Sequence, residues 1–271
     1  MAGLAGSPSS TIWSSVWGRL RVRVRMGLTC SGDPGYACRS PIIREAGAVS
    51  LAGFYERHVF SPVLKLAERT LADVRRELLS QASGEVLEIG IGSGLSLSHY
   101  GPAVERIVGL EPSEVLLREC RERVELRSGE PPVELVHAGA ESMPFEDNRF
   151  DTVVAFLVFC TIPEADRAAL EMARVLKPGG RLLFFEHVAA SEPGLARWQQ
   201  RFNPLWRPLA CGCNINRDTR RVFERAGFDM SGVEVRRHPD IPLPLVQPVI
   251  EGDTGLAVSG ESPRSGTGQK R

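Results

Sequence analysis

Short apolar runs alternate with longer amphipathic stretches through the middle of this chain. Val86-Leu87-Glu88-Ile89, Ile107-Val108-Gly109-Leu110-Glu111, Val133–Ala138, Phe150–Phe156 and Arg181–Glu186 have strand length. They show little polar alternation, the pattern of strands buried on both faces. The stretches between them read as helices. Ser61 caps and Pro62 opens a helix reaching about Gln81, with Val63, Leu66, Thr70, Val74 and Leu78 on one face. A second helix starts near Ser113 and turns Val115, Leu116 and Val124 toward the sheet. A third spans Ala165–Leu176 and is stopped by Lys177-Pro178-Gly179-Gly180; a fourth spans Asp218–Ala226 and ends at Gly227. Met230–Val235 reads as a further strand. Strands alternating with helices predict an α/β fold around a mostly parallel sheet.

The first apolar run breaks into Gly90-Ile91-Gly92-Ser93-Gly94, followed by a helical turn from Leu95. Strand, glycine loop and helix together form the usual cradle of a nucleotide-like cofactor. A dinucleotide site would place its third glycine at Leu95, and a phosphate-binding loop would end in Gly-Lys-Ser/Thr. Neither condition is met. Instead Glu88 precedes the glycines, where it can meet a positive group. Glu111 closes the second run about twenty residues beyond the first glycine, the distance a strand-helix-strand unit requires. An ionised carboxylate has only acceptor sites, so Glu111 can take both hydroxyls of a ribose.

The pattern Glu88-x-Gly90-x-Gly92-x-Gly94 resembles the first motif of class I S-adenosylmethionine-dependent methyltransferases. That resemblance implies a Rossmann-like, doubly wound, mostly parallel seven-stranded sheet with S-adenosylmethionine as cofactor. It places Glu88 and the three glycines beside the methionine part and Glu111-Pro112 at the ribose. Ala140 and Glu141, in the loop Gly139–Phe145, fall on the adenine side, and Phe156-Leu157 end the fourth strand against the cofactor. Further segments resemble the methyltransferase-like seven group, whose members are similar to small-molecule thiol S-methyltransferases. They include His137–Met143, Leu157–Cys160, Glu186–Ala190, Trp198-Gln199-Gln200, Pro204-Leu205-Trp206, Gly212-Cys213-Asn214 and Glu224–Phe228. The likeness covers about residues 54 to 258. Membrane members of that group begin with a long apolar helix, whereas arginines interrupt the corresponding sequence here.

Composition narrows the function classes. The chain has 33 basic and 33 acidic residues. No net field therefore draws it to nucleic acid, and no motif for holding a flipped base is present. Six cysteines in 271 residues make no disulfide framework, and a reduced, cytoplasmic setting is expected. No run is long enough to span a bilayer, which leaves peripheral membrane contact open. Residues 1–45 alternate arginines with apolar residues at positions 19 to 25. They read as a disordered basic extension, a targeting segment or sequence outside the working protein. The domain is expected over 46–258, with a Gly/Ser-rich disordered tail at 259–271. Oligomeric state is open.

The acceptor side is less determined. His187, just past the fifth strand, is the candidate base for drawing a proton from an acceptor. The reading it fits somewhat better is a capped or hydrogen-bonded histidine that shapes its loop. Trp198 and Trp206 crowd an aromatic segment that either walls an apolar substrate pocket or packs a helix. Tyr55 is a candidate contact or a packing residue, and Cys213 a pocket residue. Cys211-Gly212-Cys213 lacks a matching second pair, so no metal is expected. The function expected is methyl transfer to a small apolar acceptor, a thiol first. A lipid head group or a quinone is the alternative acceptor, and a non-catalytic binding scaffold is the alternative outside enzymes.

Overall fold

A computed structural model describes residues 71–127, 131–210 and 212–257. The expected extension, tail, Ser61 cap and Tyr55 lie outside the described residues. The elements are α1 (Ala72–Leu79), β1 (Gly84–Ile89), a 3-10 turn (Leu95–Ser98), β2 (Val104–Leu110), α2 (Glu114–Glu125), β3 (Val133–Val136) and β4 (Phe150–Phe156). They continue with α3 (Ala165–Val175), β5 (Leu176–His187), α4 (Pro193–Leu209), α5 (Thr219–Arg225), β6 (Arg236–Arg237), a 3-10 turn (Pro244–Val246) and β7 (Pro248–Thr254).

The strands form one seven-stranded sheet in the order β3-β2-β1-β4-β5-β7-β6. β1 to β5 pair in parallel, and β7 runs antiparallel to both β5 and β6. Period-two alternation sends neighbouring residues to opposite faces. On one face Leu87, Ile89, Val153 and Phe184 pack with Met172 of α3 and Phe223 of α5. On the other, Val86, Ile107, Val154 and Phe185 pack with Leu78 and Leu79 of α1 and Cys120 of α2. Phe223 sits edge-on to Phe159 and Phe184 at 4.8 and 5.5 Å. Each such pair adds about 0.5–1.5 kcal/mol beyond the area it buries.

The mostly parallel seven-stranded sheet agrees with the fold expected from sequence, while several elements differ. In α2, Leu117 and Cys120 are buried and Val115 is 64% exposed, so the helix presents a different face from the expected one. Ser113 caps it by accepting from the Leu116 amide, which sets the rotation of the first turn. The turn after the glycine loop is 3-10 and stops at Ser98, just before Gly101-Pro102. Met230–Val235 is not a strand. The Asp229 carboxylate accepts from the Ser231 amide and Val233 N–H bonds Met230 C=O, so local turns take groups that a ladder would need. The last two strands are instead β6 and β7. β5 begins at Leu176, which pairs with Phe150 before the register shifts. Among the described residues no helix is long and apolar enough to cross a membrane.

Chain direction decides where a ligand sits. β1 connects toward β2 on one side and β4 toward β5 on the other, so a crevice opens at their carboxyl ends.

Candidate functional site

The glycine loop leaves β1 at that crevice. Gly90, Gly92 and Gly94 have φ of 65, 58 and 81°, values that side chains with a Cβ disfavour. Space is also limiting. A Cβ on Gly90 would come within 2.4 Å of Val158 Cγ2, and one on Gly94 within 2.7 Å of Cys120 Sγ. Glycine is thus required both by the turn and by packing against the β4 and α2 sides. The amides of Gly90 and Ile91 donate to Leu110 C=O at 2.8 and 3.1 Å, fastening the loop to β2.

The loop borders a cavity of 190 Å³ lined by Leu71, Arg75, Glu88, Ser96, Phe156 and Leu157 together with the loop backbone. Glu88 is buried, and Tyr100 OH donates to its Oε2 at 2.9 Å. Burial pushes its pKa up to about 7, against the opposing hydrogen bonds of Ser96 and Tyr100 and the charge of Arg75. A buried acid held near neutrality gains a stable charge when a cation arrives, which suits the ammonium of a bound amino acid moiety. Arg75 lies over the Phe156 ring, 4.4 Å from its centroid. Phe156 in turn stacks on Phe185 at 5.2 Å. Leu157 has φ of 52°, a conformation that costs energy in a residue other than glycine and clusters at functional sites.

Glu111 takes the Gly92 amide at Oε2 (3.1 Å) and the Ser113 amide at Oε1 (2.8 Å). It clamps the glycine loop to the start of α2, and each oxygen keeps a second lone pair for a ligand hydroxyl. His137 Nε2 meets Pro112 C=O at 2.9 Å. The loop carrying Ala140 and Glu141 is held from α3: Glu171 accepts from Met143 N–H, and Arg174 donates to the carbonyls of Met143 and Phe145. Glu88, Gly90, Gly92, Phe156 and Leu157 therefore line the cavity directly. Gly94, Glu111, Pro112, Ala140 and Glu141 are not among the lining residues; of these, Glu111 is fastened to the loop through the Gly92 amide. A larger open hollow of 590 Å³ lies on the outer side between α3 and α5, lined by charged residues such as Asp166, Arg217 and Arg225. It contains none of the motif residues, and its chemistry does not match a cofactor crevice.

A second group of side chains gathers beyond Leu157. Glu186, at the end of β5, accepts the amides of Val158 and Phe159 at 2.9 and 3.0 Å, tying the β4 exit to β5. Burial raises its pKa to about 7. His187 Nε2 lies 3.1 Å from Cys213 Sγ, and Trp206 donates its indole N–H to the same sulfur at 3.3 Å. Cys160 completes the group. Its hydrogen bond to Cys213, followed by those of His187 and Trp206, holds the Cys213 thiol well below its usual range despite burial, and leaves Cys160 well above. Burial alone would lower His187; the Cys213 sulfur overrides it and leaves the imidazole raised. Trp198 is 54% exposed and stacks on Phe202 at 5.4 Å, away from this group.

Sequence reasoning missed Arg75 and Ser96 in the cavity wall, Tyr100 behind Glu88, Cys160 in the sulfur group, and Gln199. Gln199 is fully buried, accepts from Ala190 N–H, and donates to Val188 and Leu245 C=O. Glu186 did leave a signal: like Glu88, it is an acid at the end of an apolar strand.

Comparison with known proteins agrees with this geometry. A family profile described as "Methyltransferase domain" matches residues 87–184. Thiol S-methyltransferase TMT1B of Homo sapiens is 32% identical over 198 residues, covering 68% of this chain and 79% of the relative. The phosphatidylethanolamine N-methyltransferase of Cereibacter sphaeroides is 40% identical over 123 residues, 43% of this chain and 60% of that protein. Among solved structures, a putative methyltransferase from Bacillus halodurans matches with TM-score 0.50 and 25% identity over 66% of this chain and 71% of that one. Cavity, glycine loop and kinship agree: this chain is an enzyme of the class I S-adenosylmethionine-dependent methyltransferase family, within which it resembles the methyltransferase-like seven group.

Proposed function

We propose that this methyltransferase acts on a small, apolar thiol. One observation supports that acceptor most directly: similarity to a thiol S-methyltransferase extends over 68% of this chain and 79% of the relative. S-adenosylmethionine supplies an electrophilic sulfonium methyl. The chain's own residues bind and orient around it. Glu88 holds the amino end, the glycine loop gives close backbone approach, and Glu111 takes the ribose hydroxyls. Phe156 and Leu157 form the apolar wall that keeps water from the transfer. Holding a nucleophile in line in such a site contributes up to about 7–11 kcal/mol of barrier lowering. An anionic sulfur meeting a cationic sulfonium loses charge on the way to the transition state, so a dry pocket favours the reaction.

A free thiol has a pKa of about 8.5 and is mostly protonated at neutral pH, so the acceptor sulfur needs help to ionise. His187 does not border the cofactor cavity, and its ring is taken up by Cys213. Any part it plays in activating an acceptor is as a member of the sulfur group beyond Leu157. The second reading, a lipid head group as acceptor, is favoured by the Cereibacter sphaeroides relative. Labelled-methyl transfer to a panel of thiols, aminophospholipids and quinones separates them. Label in a thioether product supports the thiol reading; label only in lipid or quinone overturns it.

A further inference from the structure

Cys160, His187 and Cys213 have no part in holding the cofactor, yet three distant segments bring them together. Cys160 follows β4, His187 ends β5 and Cys213 follows α4. All three are buried, and their donor atoms lie within 4.8 Å of one another. We infer that they form a binding site for a single thiophilic divalent cation of the zinc class, with three protein donors and one open position.

Distances, chemistry and surroundings support this. Zinc binds sulfur at about 2.3 Å and imidazole nitrogen at about 2.0–2.1 Å, so tetrahedral neighbours lie roughly 3.5–3.8 Å apart. The donors here, from 3.1 Å (His187 to Cys213) to at most 4.8 Å, bracket that spacing. A tetrahedron is reached by side-chain movements of tenths of an ångström to about one ångström. Two thiols and an imidazole are the soft set that selects zinc over magnesium or calcium. Trp206 already directs an N–H at the Cys213 sulfur, the outer hydrogen bond that ligating thiolates receive. His187 Nδ1 and Glu186 Oε2 are buried without a hydrogen-bond partner. Such unmet polar demand is rare; it lies beside the donor set, with Nδ1 left for the outer partner that a ligating imidazole takes. Among the described residues no fourth His, Cys or carboxylate joins the group. Three protein ligands and an open place is the arrangement of catalytic rather than structural zinc.

Binding would displace one proton from Cys160 and one shared by the Cys213–His187 pair onto solvent buffer. The open position would take the acceptor's sulfur as a thiolate, its proton leaving to solvent buffer, which provides the ionisation that His187 alone does not supply. That use of the site rests on the thiol reading; the donor set does not.

The test is Co²⁺ titration of the full-length, reduced, metal-stripped protein, followed by optical absorption. One equivalent should produce cobalt–thiolate charge-transfer and tetrahedral d–d bands, which Zn²⁺ then abolishes by displacement. C160S, C213S and H187A should each weaken Co²⁺ binding by roughly a hundredfold or more, above the 10–100-fold typical of outer-shell changes. C30S/C38S should leave it intact. Retained S-adenosylmethionine affinity shows that each variant is folded. In the unmodified protein, Zn²⁺ should also slow alkylation of Cys160 and Cys213, read by peptide mass spectrometry. Absence of cobalt–thiolate bands, bands that survive all three substitutions, or alkylation unaffected by Zn²⁺ would overturn the site. Product formation plays no part in these readouts, so a failed thiol assay and a failed metal site remain distinct results.

Discussion

The two ends of the crevice are built differently. The cofactor end comes from a short stretch of chain in which backbone does most of the work: three left-handed glycines, amides anchored on Leu110, and one carboxylate, Glu111, that clamps Gly92. The sulfur group beyond Leu157, the proposed acceptor end, comes from side chains tens of residues apart. His187 and Cys213 are separated by 26 positions, and Gln199 ties α4 to the segment after β5 and to the turn before β7. Backbone geometry tolerates little substitution and serves a constant ligand. Side chains brought together from afar can be exchanged one at a time while the sheet stays intact. This difference suits a shared cofactor and a variable acceptor.

The comparison predicts that the most damaging change lies at the cofactor end. Gly90→Val forces a β-branched residue into φ of 65° and against Val158. Calorimetry should show S-adenosylmethionine affinity falling by about a hundredfold or more, or roughly 2.7 kcal/mol. At the other end, Gln199→Ala leaves buried partners unsatisfied. Urea unfolding should show a loss of about 3 kcal/mol with cofactor affinity in the surviving folded protein nearly unchanged.

Glu88 connects charge to pH. Its folded pKa, about 7, lies above the ordinary carboxylate value. Below that pH it is neutral and cannot pair with an ammonium; above it the charge is present. Cofactor affinity should therefore rise by up to about tenfold per pH unit from roughly pH 5 to 7 and level off beyond, while Glu88→Gln shows a weak, flat profile. The same shift means the cofactor-free protein loses stability as pH climbs from about 4.5 to 7, by roughly 3 kcal/mol from Glu88; Glu186, raised to the same value, adds a like slope, so Glu88→Gln should reduce the slope in urea titrations by about half. Glu111→Ala should weaken cofactor binding by about tenfold to a hundredfold, the loss of one hydrogen bond to a charged group. The smallest effect is expected at Trp198→Ala, on the exposed Trp198–Phe202 stack. Urea unfolding should show a change of no more than about 0.5 kcal/mol, with any effect on activity confined to the acceptor KM.

The sequence by itself determined the sheet's parallel core and the cofactor loop. Continuous apolar runs, the glycine spacing and the acids Glu88 and Glu111 are local patterns whose meaning depends on few distant contacts. It also determined α3 and α5, whose stops at Lys177–Gly180 and Gly227 are local too. Only the tertiary structure decided the α2 face, where packing of Leu117 and Cys120 overrode the expected stripe. It likewise decided the last strands. β7 contains Glu251 and Asp253, so no apolar run marks it in the sequence; Arg236 and Arg181 pair with those charges across the sheet edge. Cys160, His187 and Cys213 were visible one by one, but no spacing rule relates residues that meet because a sheet orders its strands out of sequence. Backbone demands are written locally, whereas side-chain convergence is set by topology.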